Sequence, residues 1–391
     1  METARPRRTP SSAIALASAG TVVSVLPAFL TGAMAVQLTE NLAFGVAALG
    51  VAVGAFWGAG ALTSAWLGRL VDRLGASRSM QIAGAISAAS MGGIALSARS
   101  WAALVVWLVI GSMSHVIAQP AANRLLMNAV DPARLGVSFG IKQSAPPLAS
   151  SLAGISVPLL ALTLGWRYAY AIGAVCSIAV VIAAGRGGSQ RPRPAAVERA
   201  AIGPRPELLL FGLAFGLAVS ATSSVPAFYV DAAVVSGLSP SRAGTMLGIA
   251  AFLTIAGRLA SGVLVDRLTR RHLLICAVQL SFAVVGLGLL ALARPVTMTV
   301  GVVVAMALGW SFNGVFWFSM VRAHPKSPGA ITGTIAPAGL LANTVSPLLF
   351  GSIAEQFGYR PAWLTAAGIA TLAVVAFVAG SRRLERATPT H

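Results

Sequence analysis

Apolar runs of about 20 residues follow one another through nearly the whole chain, each long enough to cross a hydrocarbon core of ~30 Å as a helix. They fall at 14–37, 42–67, 79–98, 101–127, 135–161, 167–185, 207–231, 243–264, 272–293, 297–320, 330–353 and 362–380, bounded by charged or Gly/Pro-rich turns. No period-two alternation of the barrel type runs through them, and an open sheet cannot satisfy its backbone in lipid. The segments are therefore predicted to be the twelve transmembrane helices of an all-α membrane protein. With 57% hydrophobic and 10% charged residues, water is not the main solvent of this chain.

The 28 Lys and Arg against 10 Asp and Glu give a formal charge of +18. A basic balance of this size can mark phosphate binding. Here the cations sit in short clusters between apolar runs, which is how membrane topology is encoded, and no nucleic-acid partner is expected. Counted at alternate ends, 20 of them lie with the N-terminus, the loop near 68–78, Arg134, the 186–205 stretch, the 265–272 and 321–329 loops and the C-terminal tail. Only Arg99, Arg167, Arg242, Arg294 and Arg360 lie at the opposite ends. The positive-inside rule then expects a multi-pass protein of the inner (plasma) membrane with both termini cytoplasmic. Arg5, Arg7 and Arg8 before an apolar run could open a signal peptide, but that run is long and no small-residue cleavage site precedes a soluble domain. It is read as the first span.

Cys176 and Cys276 both lie inside apolar runs, offering neither a disulfide framework nor metal-ligand spacing. No metal or other cofactor is expected. No phosphate-binding loop or nucleophile constellation appears either, which argues against an enzyme and against direct ATP drive.

The stretch from Gly185 to Pro206 is the one long polar interruption, rich in Gly, Pro and Arg. It divides the chain into a six-helix half at 1–185, a flexible cytoplasmic linker at 186–206 and a second six-helix half at 207–391. Repetition supports the division. Gly68-Arg-Leu-Val-Asp72-Arg73-Leu74 recurs as Gly262-Val-Leu-Val-Asp266-Arg267-Leu268, Pro27-Ala28-Phe29 as Pro226-Ala227-Phe228, and Gly165-Trp166-Arg167 as Gly358-Tyr359-Arg360. Repeated halves are a mark of secondary transporters, whose substrate site lies between the halves near mid-membrane.

Over essentially its whole length the chain resembles the major facilitator superfamily. The stretch GRLVDRLGASR, Gly68 to Arg78, is similar to that family's signature between helices 2 and 3, with Gly68, Asp72, Arg73, Gly75 and Arg78 on its marked positions. The second copy keeps Gly262, Asp266, Arg267 and a basic Arg271. The resemblance implies two pseudo-symmetric six-helix bundles that rock about a central cavity. It makes these residues a gating motif, in which Asp72, with Arg73 and nearby backbone dipoles, holds the cytoplasmic gate closed; ordinary topology charges are the alternative. Drug/proton antiporters of this superfamily usually carry an Arg in helix 4 four residues before a Gly, where this chain has Trp107 before Gly111. Their glycine-rich motif in helix 5 is also eroded in Gly140-Ile-Lys-Gln-Ser-Ala-Pro146-Pro147.

An ionisable residue within a span costs about 2.5–3.5 kcal/mol on insertion scales, so each needs a cavity, a partner or a task. Arg124, Lys142 and Arg258 all lie roughly 8–12 Å inside the predicted cytoplasmic boundary at 1.5 Å rise per residue. No acidic residue is expected at that depth: Glu40, Asp231 and Glu355 fall near outer helix ends, and Asp72, Asp131 and Asp266 at the inner surface. A substrate anion could supply the missing charge, Arg258 offering a fork and Lys142 a point charge. Snorkelling to the headgroups is the bland alternative. Arg258 with Gly262 also resembles the Arg-x-x-x-Gly of helix 8 in monocarboxylate and oxalate-type carriers, where that Arg is associated with carboxylate binding.

Gln143, His115, Gln119, Asn313 and Asn343 are candidates to complete the site, or amides and a ring that glue helices together. His115, Asp231 and Glu40 are the candidates for proton coupling. Tyr229, Phe312, Phe316, Trp317 and Phe318 line the cavity or pack. The function expected is proton-coupled alternating-access transport of a small organic anion, a carboxylate. An exporter of drugs or hydrophobic metabolites, and a transporter-like sensor that moves no solute, stay open beside it.

Overall fold

A computed structural model describes residues 8–131, 134–186, 206–267, 272–323 and 328–387. Among them are twelve helices long and apolar enough to cross a membrane: α1 Pro10–Ala33, α2 Val46–Leu74, α3 Ala76–Ser97, α4 Trp101–Ala129, α5 Leu135–Ala161, α6 Trp166–Gly185, α7 Leu208–Val235, α8 Pro240–Gly262, α9 His272–Ala291, α10 Pro295–Met320, α11 Thr334–Phe357 and α12 Tyr359–Arg382. All twelve predicted segments are present, and the described residues contain no strand. Most of the expected linker lies outside the described residues.

Helix ends follow local chemistry rather than hydropathy. Thr9 caps α1 through the Ser12 amide at 3.4 Å, and Pro10 takes the first turn, where its missing N–H is not needed. α2 continues past its apolar run through Arg69 to Leu74, because charged residues beyond the hydrocarbon prolong a helix as readily as apolar ones. It stops at Gly75, whose φ of +78° turns the chain directly into α3. The third sequence echo is also a turn: Gly165 at φ +105° and Gly358 at φ +84° open the last helix of each half.

Odd and even helices run in opposite directions, so the described ends of α1 and α12 share one face of the bundle, here the termini face. At the far face the two halves meet backbone to backbone. Gly32 of α1 lies against Pro226 and Ala227 of α7, Gly50 of α2 against Pro347 and Gly351 of α11, and Gly154 of α5 against Gly244 and Gly248 of α8. Small residues permit such approaches in lipid, where packing rather than water drives association.

Hydrophobic packing divides in the same way. One core spans both halves at the far face, joining Phe29, Met34 and Leu49 to Phe228, Leu247 and Phe350. Toward the termini face it splits in two, one core around Leu67, Met80 and Leu125, the other around Phe215, Phe312, Phe316 and Phe377. Gly68, Gly136, Gly140 and Gly262, on the termini halves of α2, α5 and α8, face open space. Just below the contact of Gly58 with Thr344, a crevice of about 310 Å³ lined by Leu62, Pro337 and Leu341 opens between α2 and α11. The molecule is closed at the far face and splayed at the termini face.

Candidate functional site

Intramembrane proline decides which backbone groups face the space between the halves. A helical carbonyl bonds the N–H four residues on, and proline has none. Pro27 thus releases the Val23 carbonyl, which accepts from the Ser87 hydroxyl at 2.6 Å. In α5 the pair Pro146-Pro147 breaks the helix at Ser144 and releases the carbonyls of Lys142 and Gln143.

Lys142 and Arg258 converge at this break. Lys142 is 2% exposed, and its ammonium donates to the Gln119 side-chain oxygen and to that of Gln143 at 3.3 Å. Arg258 reaches across from α8 and donates through Nη1 to the Gln143 carbonyl at 2.5 Å and through Nη2 to the Trp310 carbonyl at 3.4 Å. Its guanidinium also lies 5.5 Å from the Trp310 ring centre, within cation–π range. Neither cation has a carboxylate partner among the described residues.

One turn beyond Gln119 on α4, His115 sits 3.4 Å from the Ser24 hydroxyl and edge-on to Trp57, ring centres 5.3 Å apart. Phe29 packs edge-on to Trp310 at 6.2 Å. The space between the halves therefore has cations and amides toward the termini face and aromatic walls toward the sealed far face. Asn313 is half-buried, three residues after Trp310, in the first turn of the helical stretch that resumes at Phe312. Asn343 is half-buried on α11, and Pro347 releases its carbonyl in turn.

Other expected residues lie elsewhere. Arg124 has a counter-ion after all: it pairs with Asp72 and donates to the Val71 carbonyl at 3.1 Å. The physical reason is the extra length of α2, which carries Asp72 beyond the apolar run to the end of α4. Asp72 therefore pairs within its own half and not with Arg73, which is exposed, as is Arg78. The side chains of Asp266 and Arg267, and Arg271 altogether, lie outside the described residues. Because its charge is already matched, Arg124→Gln is expected to change the KM for a transported anion by less than about threefold, an exposed pair contributing only ~0.2–1 kcal/mol. Initial uptake rates in proteoliposomes check this.

Asp231 accepts from the Tyr359 hydroxyl, and Glu40 is exposed on the short helix Ala35–Leu42. Both are at the sealed end, apart from Lys142. Glu355 caps α2 from the other half, taking the Ala47 amide at 2.6 Å. Tyr229, Phe312 and Phe316 are fully buried in packing, Phe316 stacked on Phe215 at 4.7 Å; Trp317 joins the same cluster, and Phe318 is 40% exposed. The aromatic beside Arg258 is Trp310, with Phe29 packed on it, and Trp57 lies against His115; hydropathy and helical period do not single these out. For Trp310 the reason is a π-helical turn, Val304–Gly309, which immediately precedes it and shifts the register of α10; such turns recur at functional sites.

Twelve spans in two repeated halves, splayed at one face and carrying between them cations with no carboxylate partner among the described residues, define a membrane transporter. Residues 13–347 match the Major Facilitator Superfamily, and the chain belongs to that family. The probable nitrate/nitrite transporter NarK2 of Mycobacterium tuberculosis is 27% identical over 318 residues, which are 75% of this chain and 76% of that protein. In fold, the chain is similar to a bacterial homologue of the human lysosomal transporter Spinster in an inward-facing, occupied conformation, with a TM-score of 0.80 at 15% identity over 97% of this chain and 98% of that one. The nucleoside transporter NupG gives 0.75 at 16% identity over 93% and 99%.

Proposed function

We propose that this transporter moves a small planar anion, with a carboxylate as the recognised group, across the inner membrane by alternating access with proton symport. The observation that carries the reading is the meeting of Lys142 and Arg258, one from each half, with no carboxylate between them among the described residues. A fork and a point charge on opposite walls suit an anion that both halves must grip. Burying either cation without a counter-charge is costly, and a bound anion removes that cost. Nitrate and nitrite, for which the relative NarK2 is named, are also small planar anions. Taking the termini face as cytoplasmic on charge, the splayed state is inward-facing. His115, one turn from the residue that Lys142 bonds, is the proton carrier in this reading.

An exporter of hydrophobic metabolites is the second reading, favoured by the apolar crevice between α2 and α11. Uptake of radiolabelled acetate, benzoate, oxalate and nitrate into proteoliposomes, with and without an inward proton gradient, separates the two. Gradient-driven uptake of at least one of them is expected, reduced more than about tenfold by Lys142→Gln, since a unit charge at ~4 Å in an effective dielectric of 20 is worth about 4 kcal/mol. No uptake by folded wild type overturns the anion reading.

A further inference from the structure

The guanidinium of Arg258 is held, but badly. Its one good bond goes to the Gln143 carbonyl at 2.5 Å, a backbone group of the opposite half. Nη2 reaches the Trp310 carbonyl only at 3.4 Å, the outer limit of a hydrogen bond, and Nε is buried with no partner among the described residues. A buried arginine in its final resting place has its donors paired. This one is in a position that better acceptors would improve.

The Gln143 carbonyl is available for one reason. Pro147 occupies the position whose N–H would otherwise bond it within α5, and a carbonyl released inside a membrane must find another donor. Pro146 does the same for the carbonyl of Lys142, one residue earlier. The sequence Lys142-Gln-Ser-Ala-Pro146-Pro147 therefore builds a neutral acceptor into the wall facing Arg258.

We infer that the Gln143 carbonyl, released by Pro147, is an internal competitor for the substrate, holding Arg258 in the empty carrier and giving it up when an anion arrives. The inference rests on the reading of Arg258 as an anion ligand. A carboxylate presents two charged oxygens in the plane of the guanidinium, where the carbonyl presents one neutral oxygen. The anion wins when it is present and the carbonyl holds the arginine when it is not. Pro147 is then a positioning residue that lowers affinity, which helps a carrier release its cargo. Binding also dissolves the α5–α8 tie at the splayed end of the seam, freeing those helix ends to move.

The sign of the effect makes the test sharp. Pro147→Ala returns an N–H to the Gln143 carbonyl, which keeps a second lone pair, so its hold on Arg258 is weakened rather than abolished. Purified wild type, Pro147→Ala, Pro147→Ser, Pro146→Ala and Arg258→Gln are titrated with sodium acetate, benzoate, oxalate and nitrate, following tryptophan fluorescence with calorimetry as a check. Both Pro147 variants are expected to bind the anions that wild type binds with a Kd about three- to tenfold lower. Pro146→Ala, which restores the donor to the wrong carbonyl, is expected to gain nothing, and Arg258→Gln to lose binding. Unchanged or weaker binding by the Pro147 variants, with loss in Arg258→Gln, overturns the inference and leaves the anion reading standing. An equal gain from Pro146→Ala overturns it as general straightening of α5. Retained binding in Arg258→Gln, or no binding of any of the four anions by wild type, removes both together.

Discussion

Arg258→Gln is expected to lower anion uptake at least a hundredfold while the protein remains folded in detergent. Glutamine is of similar reach but carries no charge and no planar fork, so two charge-assisted bonds of about 1.5–3 kcal/mol each are lost to the substrate. Arg258→Lys separates charge from geometry. It keeps the cation but offers a point charge in place of the fork, and a loss of about tenfold is expected. Retention of the fold in both variants is checked by circular dichroism and by the elution profile in detergent. Initial rates of uptake in proteoliposomes are the measurement, and wild-type rates in Arg258→Gln would remove this residue from the site.

Gly154→Val is expected to lower transport roughly 5–150-fold by a different route, biasing the far face open. A β-carbon at 154 would lie 2.5 Å from the Gly248 nitrogen and 2.7 Å from the Gly244 oxygen, both backbone atoms of the opposite half. Neither can give way without moving α8. Overpacking of this kind costs about 1–3 kcal/mol, and at that coupling the closed far face loses roughly 5–150-fold in population. The half-buried Thr245 on α8 is one residue from this contact. In a background lacking Cys176 and Cys276, Thr245→Cys is expected to react with an impermeant maleimide several times faster when Gly154→Val is also present. Equal labelling with normal uptake would show that the α5–α8 contact does not have to close.

The spans and their division into halves were legible because lipid leaves the backbone few options, and an apolar run of about 20 residues records that restriction directly. Lys142 and Arg258 were legible for the same reason, since an intramembrane charge is conspicuous in any sequence. Their meeting was not. It depends on an α5–α8 approach between residues 115 apart, made possible by glycines, and on a carbonyl whose release follows from Pro147. The partner of Arg124 was hidden because hydropathy marks where the bilayer ends and not where the helix does. α2 runs on to Gly75 and brings Asp72 with it. The aromatic wall was hidden by the π-helical turn at Val304–Gly309, which shifts the register of α10 so that no 3.6-residue period predicts the face of Trp310. Phe312 and Phe316 instead pack into the core of their own half.

Recognition of a negative charge is tested most directly by a pair of solutes alike in shape and different in charge. Competition by benzoate and by benzamide against labelled benzoate uptake, in proteoliposomes of wild-type protein, is that measurement. With Lys142 and Arg258 as the gripping groups, benzoate competes at its own KM and benzamide is at least about a hundredfold weaker, having no charge to offer either cation. Equal competition by the two would mean that shape and apolar surface, not charge, select the solute, and would contradict a substrate-gripping role for both cations.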